Sequence, residues 1–291
     1  MNAGVANLTT ANPSASQRTA LLTLLADDDA TIYHTVREKI LSCGPSACEW
    51  LRPHTLSPDP IVRRRAQEIV QHFARQTADD RFLAFCVAHR GAEFDLEQAV
   101  WLLAQTQYPD TNLEAYQALL DSHAGELRER LDPAAKPKQI LTTINQLIFD
   151  ELGFCGDETN YYDPDNSYLN RVMDRRTGNP ISLCLVYLLV ARRLHLPVAG
   201  IGLPGHFLCR FQNSADEIYI DAFFRGRFLT KNDCIHHLVR SNLNPAGDCL
   251  SPAPPHRILT RICANLHQSY VRLKLAEETA RLQRYVIALS Q

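Results

Sequence analysis

Four side chains in the second half of the chain have the types and spacing for nucleophilic chemistry: Ser182, Cys184, His206 and Asp221. His206 stands in GHFLCRF and Asp221 in EIYIDAF, with the polar run QNSAD between them. Two short β-forming runs around a polar turn predict an antiparallel hairpin. A loop over 212–215 sets Phe211 against Asp216, Arg210 against Glu217 and His206 directly against Asp221. One face then carries His206, Leu208 and Arg210 opposite Asp221, Tyr219 and Glu217. The other gathers Phe207 and Cys209 opposite Ile220 and Ile218. A carboxylate beside an imidazole fixes its tautomer and raises its basicity. That pair is the base-and-orienter half of a nucleophilic triad, and it is equally what a structural hydrogen bond at a sheet edge would use.

The nucleophile candidates lie in GNPISLC, residues 178–184. Asn179 suits an N-cap and Pro180 the first helical position. Ser182 then falls in the first turn, where free N–H groups and the helix dipole favour an anion. Cys184 is roughly 200° further round the helix, so the two cannot both face one histidine. The run ISLCLVYLLVA is apolar on nearly every side, which predicts a central, buried helix. A cysteine there acts as a small core hydrophobe. A serine at a helix start commonly bonds to nearby backbone. Ser182 is therefore the first candidate and Cys184 the second.

The elements that must position these groups follow from periodicity. Apolar spacings of three and four predict helices from Gln17 to about Gln76, with Asp59 and Pro60 restarting the pattern after a break. Paired helices there resemble HEAT-type units. A second helical block reaches GDETNYYDPDNSYL, a polar loop with aromatic anchors. Tyr161 and Tyr162 in this loop, together with Asn179, are candidate binding residues. After the central helix come strand-like VAGIGL, GHFLCRF, EIYIDAF and GRFLT. Helices return from about Pro255. Helices, then a small antiparallel sheet, then helices predict an α+β fold. The division expected is a disordered tail over 1–16, a HEAT-like segment over 17–77, the main domain over 78–250 and a helical pair over 251–291.

Other chemistries are less well supported. Gly200-Ile-Gly-Leu-Pro-Gly205 spells GxGxxG, but a dinucleotide site needs a strand before it and a helix after it. Here the order is reversed, and the plain reading is a turn that needs glycine. Cys234, His236, His237, Cys249 and His256 are metal-capable but fit no common zinc spacing. No metal and no cofactor is expected. The basic triplet Arg63-Arg64-Arg65 reads as a solvated or salt-bridged helix face.

The formal net charge of −2 gives no reason to expect nucleic acid or an anionic membrane as partner. Apolar residues make up 45% of the chain, enough for a sizeable core, yet no apolar run reaches a bilayer's span. The first residues lack the basic-then-apolar order of a secretory signal. With nine scattered cysteines, that predicts reduced thiols and a cytoplasmic location.

The segments YYDPDNSYLNRVMDRRTGNPISL, LVARRLHLPVAGIGLPGHFLCRF and YIDAF together resemble the transglutaminase-like superfamily, most closely its bacterial SirB-type branch. The resemblance covers roughly 95–230 well. It implies a papain-like core in which a helix-start cysteine aligns with a histidine and an aspartate on neighbouring strands, followed by tetratricopeptide-like helices with Ala264 and Leu266 among their apolar positions. His206 and Asp221 match the family's histidine and aspartate. The family's cysteine falls around 180–182, where this chain has none.

Three functions are open at this stage. The first is a binding, scaffold or regulatory module without thiol chemistry, acting on a protein or peptide partner through the cleft around His206. The second is a hydrolase or acyltransferase using Ser182, or failing that Cys184, with His206 and Asp221. The third is a purely structural helical-repeat adaptor, against which a deep cleft lined by Tyr161, Tyr162, Asn179 and His206 would count.

Overall fold

The computed structural model describes residues 13–89, 93–240 and 250–290. The chain forms two compact units, residues 1–80 and 81–291.

In the first unit, helix α1 (Ala15–Leu25) starts at a reciprocal box in which Ser14 accepts from the Gln17 N–H and the Gln17 side chain accepts from the Ser14 N–H. The chain is thus helical from Ala15, inside the stretch expected as a tail; the rest of that tail, residues 1–12, lies outside the described residues. Helix α2 (Ala30–Leu41) is capped by Asp29. A short α3 (Ala47–Leu51) leads through a 3-10 turn to α4 (Pro60–Ala88). Asp59 accepts from the N–H groups of Ile61 and Val62, so the predicted cap and proline start are both in place. Leu25, Ile40, Leu51, Ile69 and Phe73 pack the core.

Helix α4 runs through 77–80, because QTADDRFLAF contains neither glycine nor proline to stop it. One expectation here needs correction. Arg65 is not on a solvated face. It is buried, donates to the carbonyls of Leu25 and Asp27, and lies over the Tyr33 ring. Carbonyls left open at the end of α1 make that position a cation's place rather than water's.

The second unit is built round α9 (Pro180–Arg193), buried at every position from Pro180 to Tyr187. Helices α5 (Leu96–Gln107), α6 (Leu113–Arg130), α7 (Pro137–Asn145) and α8 (Leu169–Arg175) share its core. Strands β1 (Cys155–Gly156) and β2 (Thr177–Gly178) pair in parallel and bring the start of the tyrosine loop beside the segment that leads into α9. Strands β3 (Val198–Leu203), β4 (His206–Gln212), β5 (Glu217–Asp221) and β6 (Arg227–Leu229) form an antiparallel meander in that order. Its Phe207, Cys209 and Ile220 face joins the α9 core. Its Leu208 and Tyr219 face is covered by α10 (Lys231–Arg240) through Cys234 and Leu238. The chain is α+β, as the element order predicts.

The hairpin register differs from the expected one by two residues: Cys209 lies opposite Ile220, Arg210 opposite Tyr219 and Gln212 opposite Glu217. The cause is the turn. Asn213 Oδ1 accepts from the N–H groups of Ala215 and Asp216, which moves the turn one residue on, from 212–215 to 213–216. A shift of two preserves which face each side chain occupies. His206 and Asp221 therefore remain on one face but meet diagonally. The Arg210–Glu217 ion pair survives at 3.6 Å, also as a diagonal contact.

Helices α11 (Pro255–Leu273) and α12 (Ala276–Ser290) enter the same core as α9, through Ile258, Leu259, Ile262, Leu266, Leu282 and Tyr285. Leu266 is buried as its spacing suggests, whereas Ala264 is exposed.

Candidate functional site

Asn179 caps α9 in the way its neighbours predict: its Oδ1 accepts from the Ser182 N–H at 3.0 Å. Its amide donates to Ser167 Oγ at 2.8 Å, which ties the helix start to the end of the tyrosine loop. The Asn166 carbonyl accepts from both the Asn179 N–H, at 3.2 Å, and the Ser182 hydroxyl, at 2.6 Å. Ser182 Oγ also lies 3.0 Å from the Asn179 carbonyl. The hydroxyl is buried and its proton is committed to backbone oxygen. Gly178 makes this possible, since a Cβ there would stand 2.5 Å from Ser182 Oγ.

Cys184 points the other way, as helical rotation requires. Its thiol is fully buried and donates to the Phe207 carbonyl at 3.4 Å, and Cys209 donates to the Cys184 carbonyl at 3.6 Å. Burial drives the Cys209 thiol well above its ordinary value, with its sulfur neighbour Cys184 adding to the effect. These sulfurs fill the layer between α9 and the sheet.

His206 and Asp221 do meet. Asp221 Oδ2 accepts from His206 Nε2 at 2.8 Å, and Asp221 Oδ1 accepts from the Phe224 N–H at 3.4 Å. A carboxylate only accepts, so Nε2 is the donor in this contact and Asp221 fixes the orientation of the ring. Phe223 stands edge-on to the ring with centroids 6.2 Å apart, and Phe224 and His237 flank it at 6.1 and 6.0 Å. As the first residue of β4, His206 borders open space on two sides.

On one side lies a cleft of about 540 Å³ lined by Tyr161, Tyr162, Asn179, His206, Arg261 and Gln268, with Pro180 and Ile181 at its helix-start wall. The loop carrying the tyrosines is held firmly. Asp157 accepts from the Asn160 N–H, the Thr159 hydroxyl and the Asn166 amide. Burial pushes the Asp157 carboxyl up, but these bonds outweigh it and hold it below the usual range. Arg175 bonds Asp163 at 2.8 Å. The Tyr161 and Tyr162 rings meet edge to face, and Arg272 lies 3.6 Å over Tyr162.

The sequence-predicted residues thus divide. Tyr161, Tyr162, Asn179 and His206 line one cleft, and Asp221 orients the histidine. Ser182 and Cys184 both spend their protons on carbonyls. Asn166 and Arg261 were missed. Asn166 had a signal, an amide in DPDNSY just ahead of the helix cap. Arg261 had one too: with Asn265 and Gln268 it makes a polar stripe of helical spacing along α11. Among the described residues no group of histidine, cysteine or acidic side chains is arranged to hold a metal. Cys234, His236 and His237 lie on α10, where His237 Nε2 contacts the Pro204 carbonyl at 3.0 Å. Cys249 lies outside the described residues. The GxGxxG run is a β3–β4 hairpin whose Gly205 sits at φ +66°.

A family model described as the transglutaminase-like superfamily matches residues 114–264, more than half of the chain. The chain belongs to the transglutaminase-like superfamily. A UPF0162 protein of Xylella fastidiosa is 35% identical over 195 residues, 65% of this chain and 69% of that protein. A UPF0162 protein of Pseudomonas aeruginosa is 33% identical over 180 residues, 59% of this chain and 63% of its own. F-box only protein 21 of Mus musculus is 38% identical over 136 residues, 44% of this chain and 21% of that protein. No solved structure matches. The superfamily match contains α9, the His206–Asp221 pair and the first half of α11, Arg261 included. Among the described residues, no helix is long and apolar enough to cross a membrane.

Proposed function

We propose that this transglutaminase-like protein is a binding, scaffold or regulatory module that works without a thiol nucleophile. It uses the cleft beside His206 to hold a protein or peptide partner in the cytoplasm. One observation carries the reading: the helix start that borders His206 offers the cleft Asn179, Pro180 and Ile181, while the Ser182 hydroxyl and Cys184 thiol donate to carbonyls elsewhere. A nucleophile must lie within hydrogen-bond reach of its base. The bond to Asp221 then fixes the orientation of the His206 ring on the cleft wall. A purely structural adaptor would not need a cleft with this lining. In this reading the chain is of SirB type. Residues 17–77 form a HEAT-like segment ahead of the domain, and α11 and α12 are a lone tetratricopeptide-like pair that serves as a cleft wall.

Treatment near neutral pH with iodoacetamide and with a fluorophosphonate, read by mass spectrometry, tests this. The expected result is no fast modification of Cys184 or Ser182. Selective labelling of either residue that disappears in His206→Ala would replace the binding module with a hydrolase or acyltransferase.

A further inference from the structure

Among the described residues, Arg261 is a cation without a counter-charge. Four other arginines of the same unit pair with a carboxylate: Arg192 with Asp95, Arg193 with Glu97, Arg171 with Asp165 and Arg175 with Asp163. Among the described residues no carboxylate pairs with Arg261, and the groups that act on its charge are Tyr161 and Cys184. Burial pulls its pKa down, as expected for a cation taken from water without an anion beside it. Burial likewise pushes the Tyr161 phenol up, so it stays neutral at physiological pH.

The fold has cleared a place for this side chain. Its guanidinium carbon lies 5.6 Å from the centre of the Phe207 ring. A Cβ on Gly200 would stand 2.8 Å from that ring, and one on Gly202 would stand 3.3 Å from Arg261 Nη1. The first two glycines of the GxGxxG run thus give the Phe207 ring its room and the guanidinium its space beside the strand. Among the described residues, none that lines the cleft is an aspartate or glutamate. Asn265 and Gln268 add side-chain donors, and the start of α9 adds its positive dipole end.

We infer that Arg261 binds the carboxylate of the cleft's ligand, with the guanidinium fork taking both oxygens. The inference rests on the binding reading above and names what that cleft recognises. A planar fork matches a planar carboxylate. Arg261 is the one lysine or arginine lining the cleft among the described residues, which suits a single negative charge better than a phosphate dianion. The carboxylate could belong to a free small acid or to a peptide's C-terminus, and the probes separate these.

The test is an NMR titration of the full chain at constant ionic strength, following the Arg261 Nε–H and the His206 ring. The probes are succinate, glycylglycine, glycylglycine amide, succinamide and inorganic phosphate. Saturable shifts at both residues with succinate or glycylglycine, and not with their amides, are expected. Succinate alone would indicate a small acid, and tighter binding of glycylglycine a peptide end. Arg261→Gln should abolish the response and Arg261→Lys weaken it ~10-fold, because the point charge lacks the fork. Arg64→Gln, an exposed arginine of the first unit, should leave it unchanged. Equal binding of succinamide, preference for phosphate, no response to any probe, or unaltered binding by a folded Arg261→Gln would each overturn the inference. Succinamide shifts at His206 without Arg261 would remove the carboxylate and leave the binding cleft standing. The binding-module reading fails separately, by nucleophile labelling.

Discussion

Ser182 illustrates how a residue of the right type at the right helix position can have its chemistry consumed by packing. Its hydroxyl fixes the Asn166 carbonyl, and with it the end of the tyrosine loop, to the first turn of α9. Ser182→Ala removes that donor, but the Asn179 N–H still reaches the Asn166 carbonyl. The expected cost is about 1–2 kcal/mol in urea unfolding, with the His206 ring resonances unmoved. A base-paired nucleophile would give the opposite pattern, little stability change and a shifted histidine. Rotation along α9 excludes Cys184 and Ser182 from facing one histidine together, and this much was legible from spacing. That neither faces His206 was not, because the Asn166 carbonyl that captures the hydroxyl arrives from a loop sixteen positions away in sequence.

At the scale of elements, alternation identified the faces of β4 and β5 correctly while the register was off by two. Period-two patterns constrain parity and nothing finer. The missing information lay in the Asn213 side chain, which closes the turn through two N–H groups. The diagonal His206–Asp221 contact follows from that turn. The glycines of β3 are a second element-level case. Read as a motif they suggest phosphate; in the hairpin they leave room for what crosses the strand. Gly200→Ala should force the Phe207 ring aside and cost about 1–3 kcal/mol of stability through overpacking. It should also disturb the Arg261 Nε–H resonance. Unchanged melting and an unmoved Arg261 signal would show that β3 tolerates the methyl group and that Phe207 does not support the guanidinium.

Across the molecule, all eight cysteines among the described residues are free thiols. Burial pushes Cys86 and Cys234 up to about 12 from an ordinary value of 9.0. The unfolded chain releases these protons first, so stability present below pH 9 should decline as pH rises from there towards about 12. Urea midpoints at rising pH should fall, and Ellman's reagent at pH 8 should reach Cys86 and Cys234 only after denaturation. Flat midpoints with both thiols reactive in the native protein would contradict this. The sequence by itself determined the α+β class, the capped and buried α9, the four strands of the meander, and the placing of His206 and Asp221 on one face, because caps, periodicity and alternation act between residues close along the chain. Only the tertiary structure decided the register, the burial of Arg65, the loss of Ser182 to a loop carbonyl, and the meeting of Arg261 with His206 in one cleft. Those outcomes depend on which distant groups compete for the same proton or the same space, and local spacing carries no record of that competition.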